Sequence, residues 1–176
     1  MLDVDEQQYK AAQDRTDAKL RYAAVHLDEL RNTERRGGDF ERAHQESFLF
    51  HLFGARDAFL QELNLFHECG LPLEEVTRGK LAKAVQDGRK HSEALEKLIE
   101  LEKDQTSWLS CAKEMRDHST HRHSVPRVYH VGGERYGEVF LTDTRSGVAV
   151  EHDYLALFEE WHGNMMTLIQ DLRSSN

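Results

Sequence analysis

Apolar positions recur along most of this chain at helical spacing, and glycines and prolines punctuate the pattern. Residues 3–35 are polar apart from small apolar steps at Ala12, Leu20, Ala23, Ala24, Leu27 and Leu30. That spacing predicts a long helix with a thin buried stripe, ended by Gly37-Gly38. Asp39 is placed to cap a second helix. There Phe48, Leu49, Leu52, Phe53, Ala55, Phe59, Leu60, Leu63 and Phe66 make a wide apolar face suited to core and interface. Gly70 stops it and Pro72 allows a new start. Val76, Leu81, Ala84 and Val85 predict a shorter helix ending near Gly88, and Leu95, Leu98, Ile99 and Leu101 continue the period. Within that continuation, Glu93 to Lys103 reads as a solvated charged face. A further helix from about Asp104 buries Trp108, Cys111, Ala112 and Met115. Pro126 disfavours helical geometry at Val125, so this helix should end between His121 and Ser124.

The period then shortens. Val128, His130 and Val131, a Gly132-Gly133 turn, Val139 to Leu141 and Val148 to Val150 predict a hairpin or three-stranded ribbon. Tyr154, Leu157, Phe158, Trp161, Met165, Leu168 and Leu172 return to helical spacing for a last helix. The fold class expected is all-α: an up-and-down bundle of four to five main helices, with a small β-hairpin insertion at about 127–150 before the last helix. At 176 residues this fits one domain, 1–176, with a core that needs no staples.

Composition narrows the function classes. No apolar run approaches the roughly 18 residues of a membrane span. The acidic start Met1-Leu2-Asp3-Val4-Asp5-Glu6 lacks the basic region of a secretory signal. Cys69 and Cys111 form no CxxC pair and read as reduced thiols, so a cytoplasmic location is expected. A formal net charge of −9 argues against a protein that coats nucleic acid through unspecific phosphate contacts. Residues 113–135, however, hold Lys113, Arg116, Arg122, Arg127 and Arg135 against Glu114, Asp117 and Glu134. His118, His121, His123 and His130 fall in the same window, so one anion-friendly patch sits on an acidic body.

The candidate chemistry lies in Met115-Arg116-Asp117-His118-Ser119-Thr120-His121-Arg122-His123. Asp117 and His121 are four apart, neighbours on one helix face, and an aspartate beside an imidazole fixes its tautomer and raises its pKa. His118 pairs with Arg122 in the same way, and Arg116 lines up with Thr120. Arg116 and His121 are about 140° apart around a regular helix. They meet only if the helix frays before His121 or if a second copy of the chain completes the site. Such groups suit RNA cleavage through the ribose 2′-hydroxyl. A histidine moves the hydroxyl or leaving-group proton, and an arginine holds the phosphate and its developing charge. That chemistry needs no metal and no cofactor.

Arg116, Asp117 and His121 also resemble the signature of the HEPN superfamily: an Arg, a polar residue directly after it, and a His four to six residues beyond the Arg. The resemblance implies a helical domain that dimerises, with Arg116 and His121 as the active pair in the cleft between two protomers. Asp117 would be the polar orienting residue; from the run itself, and not from the resemblance, His118, Thr120, Arg122 and His123 are expected as supporting residues. The resemblance further implies a metal-independent endoribonuclease, or a relative without turnover that binds RNA, a nucleotide or a partner protein such as an antitoxin. Two other readings stay open. Arg and His near a helix C-terminus meet its negative dipole end with no function implied. His118, His121 and His123 have a spacing compatible with a divalent metal if a carboxylate or another His joins them. His44 and His51, seven apart on the second helix, share a face and could approach the motif or simply lie on the surface.

Overall fold

The computed structural model describes residues 4–33, 38–121, 127–129, 131, 133–134, 139–142 and 153–174; the side chains of residues 4, 5, 120, 121, 127, 129 and 139 fall outside that description. Among the described residues the chain runs α1 (Val4–Asn32), α2 (Asp39–Phe66), a 3-10 turn (Leu73–Glu75), α3 (Arg78–Asp87), α4 (Glu93–Lys103), α5 (Trp108–His121), β1 (Arg127–Tyr129), β2 (Val139–Leu141) and α6 (Tyr154–Ser174). It is an all-α bundle with a small β excursion before the last helix, as the apolar periods predict. None of these helices is long and apolar enough to cross a membrane.

α2 is the central element because it is apolar on more than one side. Its Phe48, Leu49, Leu52, Phe53, Phe59, Leu60 and Leu63 are all buried. α1 lies antiparallel along it, since Tyr9 meets Phe66 and His26 meets His44. α6 runs antiparallel to α1: Arg31 bonds Glu159 at 2.7 Å near one end, and Arg173 bonds Asp17 at 2.9 Å near the other. Phe48 stacks on Phe158 with ring centroids 4.6 Å apart, which locks α2 to α6. Leu109, Ala112 and Met115 of α5, Leu95 and Leu98 of α4, and Leu81 of α3 close the same core.

Several boundaries differ from the sequence expectation. Gly38, not Asp39, is the N-cap of α2, and Asp39 is the first helical residue, where its charge meets the helix dipole. α3 starts at Arg78 rather than before Val76, because the Thr77 hydroxyl accepts the Lys80 N–H at 3.3 Å. α4 is a separate helix: Arg89 takes a φ of 53° and Ser92 caps the new start. α5 begins at Trp108, since the Asp104 carboxylate accepts the Thr106 N–H and hydroxyl and turns the chain instead. β1 and β2 pair antiparallel with Val128 opposite Phe140. The turn holds Gly133 at a φ of 75°, a conformation that favours glycine. The strand expected at Val148 to Val150 lies outside the described residues.

Candidate functional site

The motif helix α5 is set in place by Ser107, whose hydroxyl oxygen accepts the Ser110 N–H at 3.1 Å and whose hydroxyl donates to the Leu101 carbonyl. With Leu109, Ala112 and Met115 turned into the core, Ser110, Lys113, Glu114, Asp117 and His118 form one wall of an open cleft of about 670 Å³. The other walls are the start of α3 (Thr77, Arg78, Gly79), the end of α4 (Glu102, Lys103) and Arg56 of α2. The volume suits a small ligand or a short stretch of a longer one.

Charge in the cleft is organised around Glu102. Its side chain is only 3% exposed and lies between two arginines: Arg56 Nε is 3.0 Å from Oε1, and Arg78 donates to Oε2. The expectation of a solvated charged face on α4 therefore fails at this residue. The two guanidiniums share the buried Glu102 carboxylate, and Arg56 also pairs with Asp57 at 2.5 Å. Lys103 and Lys113 also line the cleft, against Glu114 and Asp117.

Arg116 and Asp117 are joined to each other. Arg116 donates from Nε at 2.9 Å and from Nη2 at 2.5 Å to Asp117 Oδ1, while Lys113 Nζ reaches Oδ2 at 3.0 Å. Partial burial pushes the Asp117 carboxyl up, but the hydrogen bonds and charges of Arg116 and Lys113 outweigh it and hold the group below its ordinary value. The Arg116 guanidinium also stacks over the Phe53 ring, 4.6 Å from its centroid. It thus lies on the α2 side of α5, while Asp117 and His118 line the cleft.

α5 stays helical through His121, so the helix does not fray before that residue. Position 121 follows Ser110, Glu114 and Asp117 at steps of four, three and four, which places it on the cleft face of the helix. Arg116 is about 140° away around the axis. The side chains of Thr120 and His121, and residues Arg122 and His123 entirely, lie outside the described residues. The expected catalytic role of His121 and the supporting roles of Thr120, Arg122 and His123 therefore fall on atoms outside the described residues.

The motif did not single out Arg56, Arg78, Glu102 or Lys103. Arg56 carried one sequence signal: it is a charge three after Phe53 and four before Leu60, inside the widest apolar face of the chain. His44 and His51 meet His26 of α1. Among the described residues, no group of three or more His, Cys, Asp or Glu side chains is placed to hold a metal ion. Comparison with protein-family models, with curated proteins and with solved structures finds no match to this chain.

Proposed function

We propose that this chain is a HEPN-like domain that binds the phosphates of RNA or a nucleotide in the α3–α4–α5 cleft and cuts RNA without a metal ion. The observation that carries the reading is the cleft itself: Arg56, Arg78, Lys103 and Lys113 converge from four helices on the face of the helix that bears the motif. Arginines arranged this way recognise phosphate oxygens by paired N–H donors. An imidazole at position 121, or His118 beside it, takes the ribose 2′-hydroxyl proton or returns one to the leaving 5′-oxygen. The 2′-oxygen attacks phosphorus, the bond to the 5′-oxygen breaks, and the products are a 2′,3′-cyclic phosphate and a 5′-hydroxyl. Arg116 points away from position 121 of its own helix, so a second copy brings the Arg116 and His121 pair together in a homodimer.

RNA cleavage with EDTA present tests this, using the wild type beside Arg116→Ala and His121→Ala. Wild-type cutting with at least a hundredfold loss in each variant is the expected result. Full activity in either variant would remove that residue from the site. A second reading has its own support: the Arg116 guanidinium is already engaged by Asp117 and Phe53, as suits a module that binds without turnover. In that case RNA binds and no product forms.

A further inference from the structure

A second constellation sits on the α1–α2 seam, away from the cleft. The antiparallel pairing brings His26 of α1 level with His44 of α2, and their Nδ1 atoms are 3.0 Å apart. Two imidazole nitrogens at about 2.0–2.1 Å from one ion, with an angle of about 90–110° between them, are about 2.9–3.4 Å apart. The two rings are also held in orientation. His51 stacks on His26 with centroids 5.4 Å apart and planes within 7°, and Phe40 packs on His44 at 4.3 Å.

We infer that His26 and His44 form a two-histidine site for a divalent transition-metal ion of the zinc class, clipping α1 to α2. With no third His, Cys, Asp or Glu placed to join them among the described residues, water fills the remaining positions. Imidazole selects zinc, copper or nickel over magnesium or calcium. When both rings are neutral no proton leaves: a ring that donates from Nδ1 to its neighbour carries that proton on Nε2 instead, and both Nδ1 lone pairs face the ion. An ion bound only by the folded hairpin stabilises it by mass action.

To keep zinc on the motif histidines out of the measurement, the test uses a His118→Ala, His121→Ala, His123→Ala background. Titration calorimetry with Zn²⁺ should give one equivalent there, with a rise in Tm. His26→Gln or His44→Gln in that background should weaken binding at least tenfold and abolish the rise, with the helical circular dichroism unchanged. Should those variants fail to fold, X-ray absorption of the zinc-loaded background protein replaces them, and two imidazole nitrogens per zinc are expected. No zinc equivalent in the background protein, unchanged affinity in both glutamine variants, or an absorption spectrum without paired imidazoles would overturn the site. The pair would then be a hydrogen bond between two imidazoles and nothing more.

Discussion

The side chain of Glu102 holds two guanidiniums at the cleft while its own carboxylate is withdrawn from water. A carboxylate buried in this way is tolerated only because both arginines compensate it, and removing one member of such a set costs about 3–5 kcal/mol. Glu102→Gln keeps the shape and deletes the charge, so we expect about 3 kcal/mol lost from the unfolding free energy in urea. A loss below about 1 kcal/mol would mean that the arginines are held by other groups. Arg116 makes a different kind of contact. Its flat guanidinium covers Phe53 and also gives Asp117 two N–H donors. Lysine keeps the charge but neither the flat face nor the fork, so Arg116→Lys should cost about 1 kcal/mol in the same melts. The motif showed Arg116, Asp117 and His118 as chemistry-bearing residues. It could not show that Arg116 and His118 leave α5 in different directions relative to α2, because that depends on which flank of the helix is buried.

Among the elements, the α1–α2 hairpin holds two histidines whose pKa values are lowered. Burial is the main cause that lowers the pKa of His26 and His51 from about 6.5, helped at His26 by His44 and opposed there by Glu29. At His51 the charges of Lys19, His26 and Arg15 act in the same direction as burial. His67, beyond the end of α2, is lowered by burial, Lys90 and His91. For each, the unfolded chain binds the proton first as pH falls. Stability is therefore full above about pH 6.5 and declines below it, until the folded-state histidines also protonate. Urea midpoints from pH 8 to 5 should show this decline, and His51→Gln should flatten part of it. The long elements were legible because α2 and α6 carry apolar periods over many turns. The short ones were less so. Leu95 and Leu98 fit the same period as Leu81 and Val85, and only the turn at Arg89 and the Ser92 cap separate α3 from α4. At Asp39 a good capping residue was outbid by the glycine before it, whose extended backbone makes the turn without a side-chain bond. Hairpin pairing at Val128 and Phe140 followed the alternation, although β1 and β2 span only three residues each.

For the molecule as a whole, the cleft draws Arg56, Arg78, Lys103 and Lys113 from helices spread over much of the chain, a convergence that no local pattern displays. Its lining sets Arg56, Arg78, Lys103 and Lys113 against Glu102, Glu114 and Asp117, on a chain of formal net charge −9. The proposed pairing of Arg116 with position 121 across two chains predicts a dimer at micromolar concentration. Sedimentation equilibrium should return twice the 20.4 kDa chain mass, and a monomer would leave the pair unassembled. The most direct measurement of the central claim is binding of a fluorescent single-stranded RNA carrying 2′-O-methyl groups, which cannot be cut through the 2′-oxygen. Wild type and an Arg78→Ala, Lys113→Ala variant would be compared by anisotropy across a salt series. With the cleft as the phosphate site, the variant should bind at least tenfold more weakly, and its salt slope should fall by about 1.4, the value for two lost contacts to a single strand. Equal affinity and equal slope in the two proteins would contradict the assignment of the cleft.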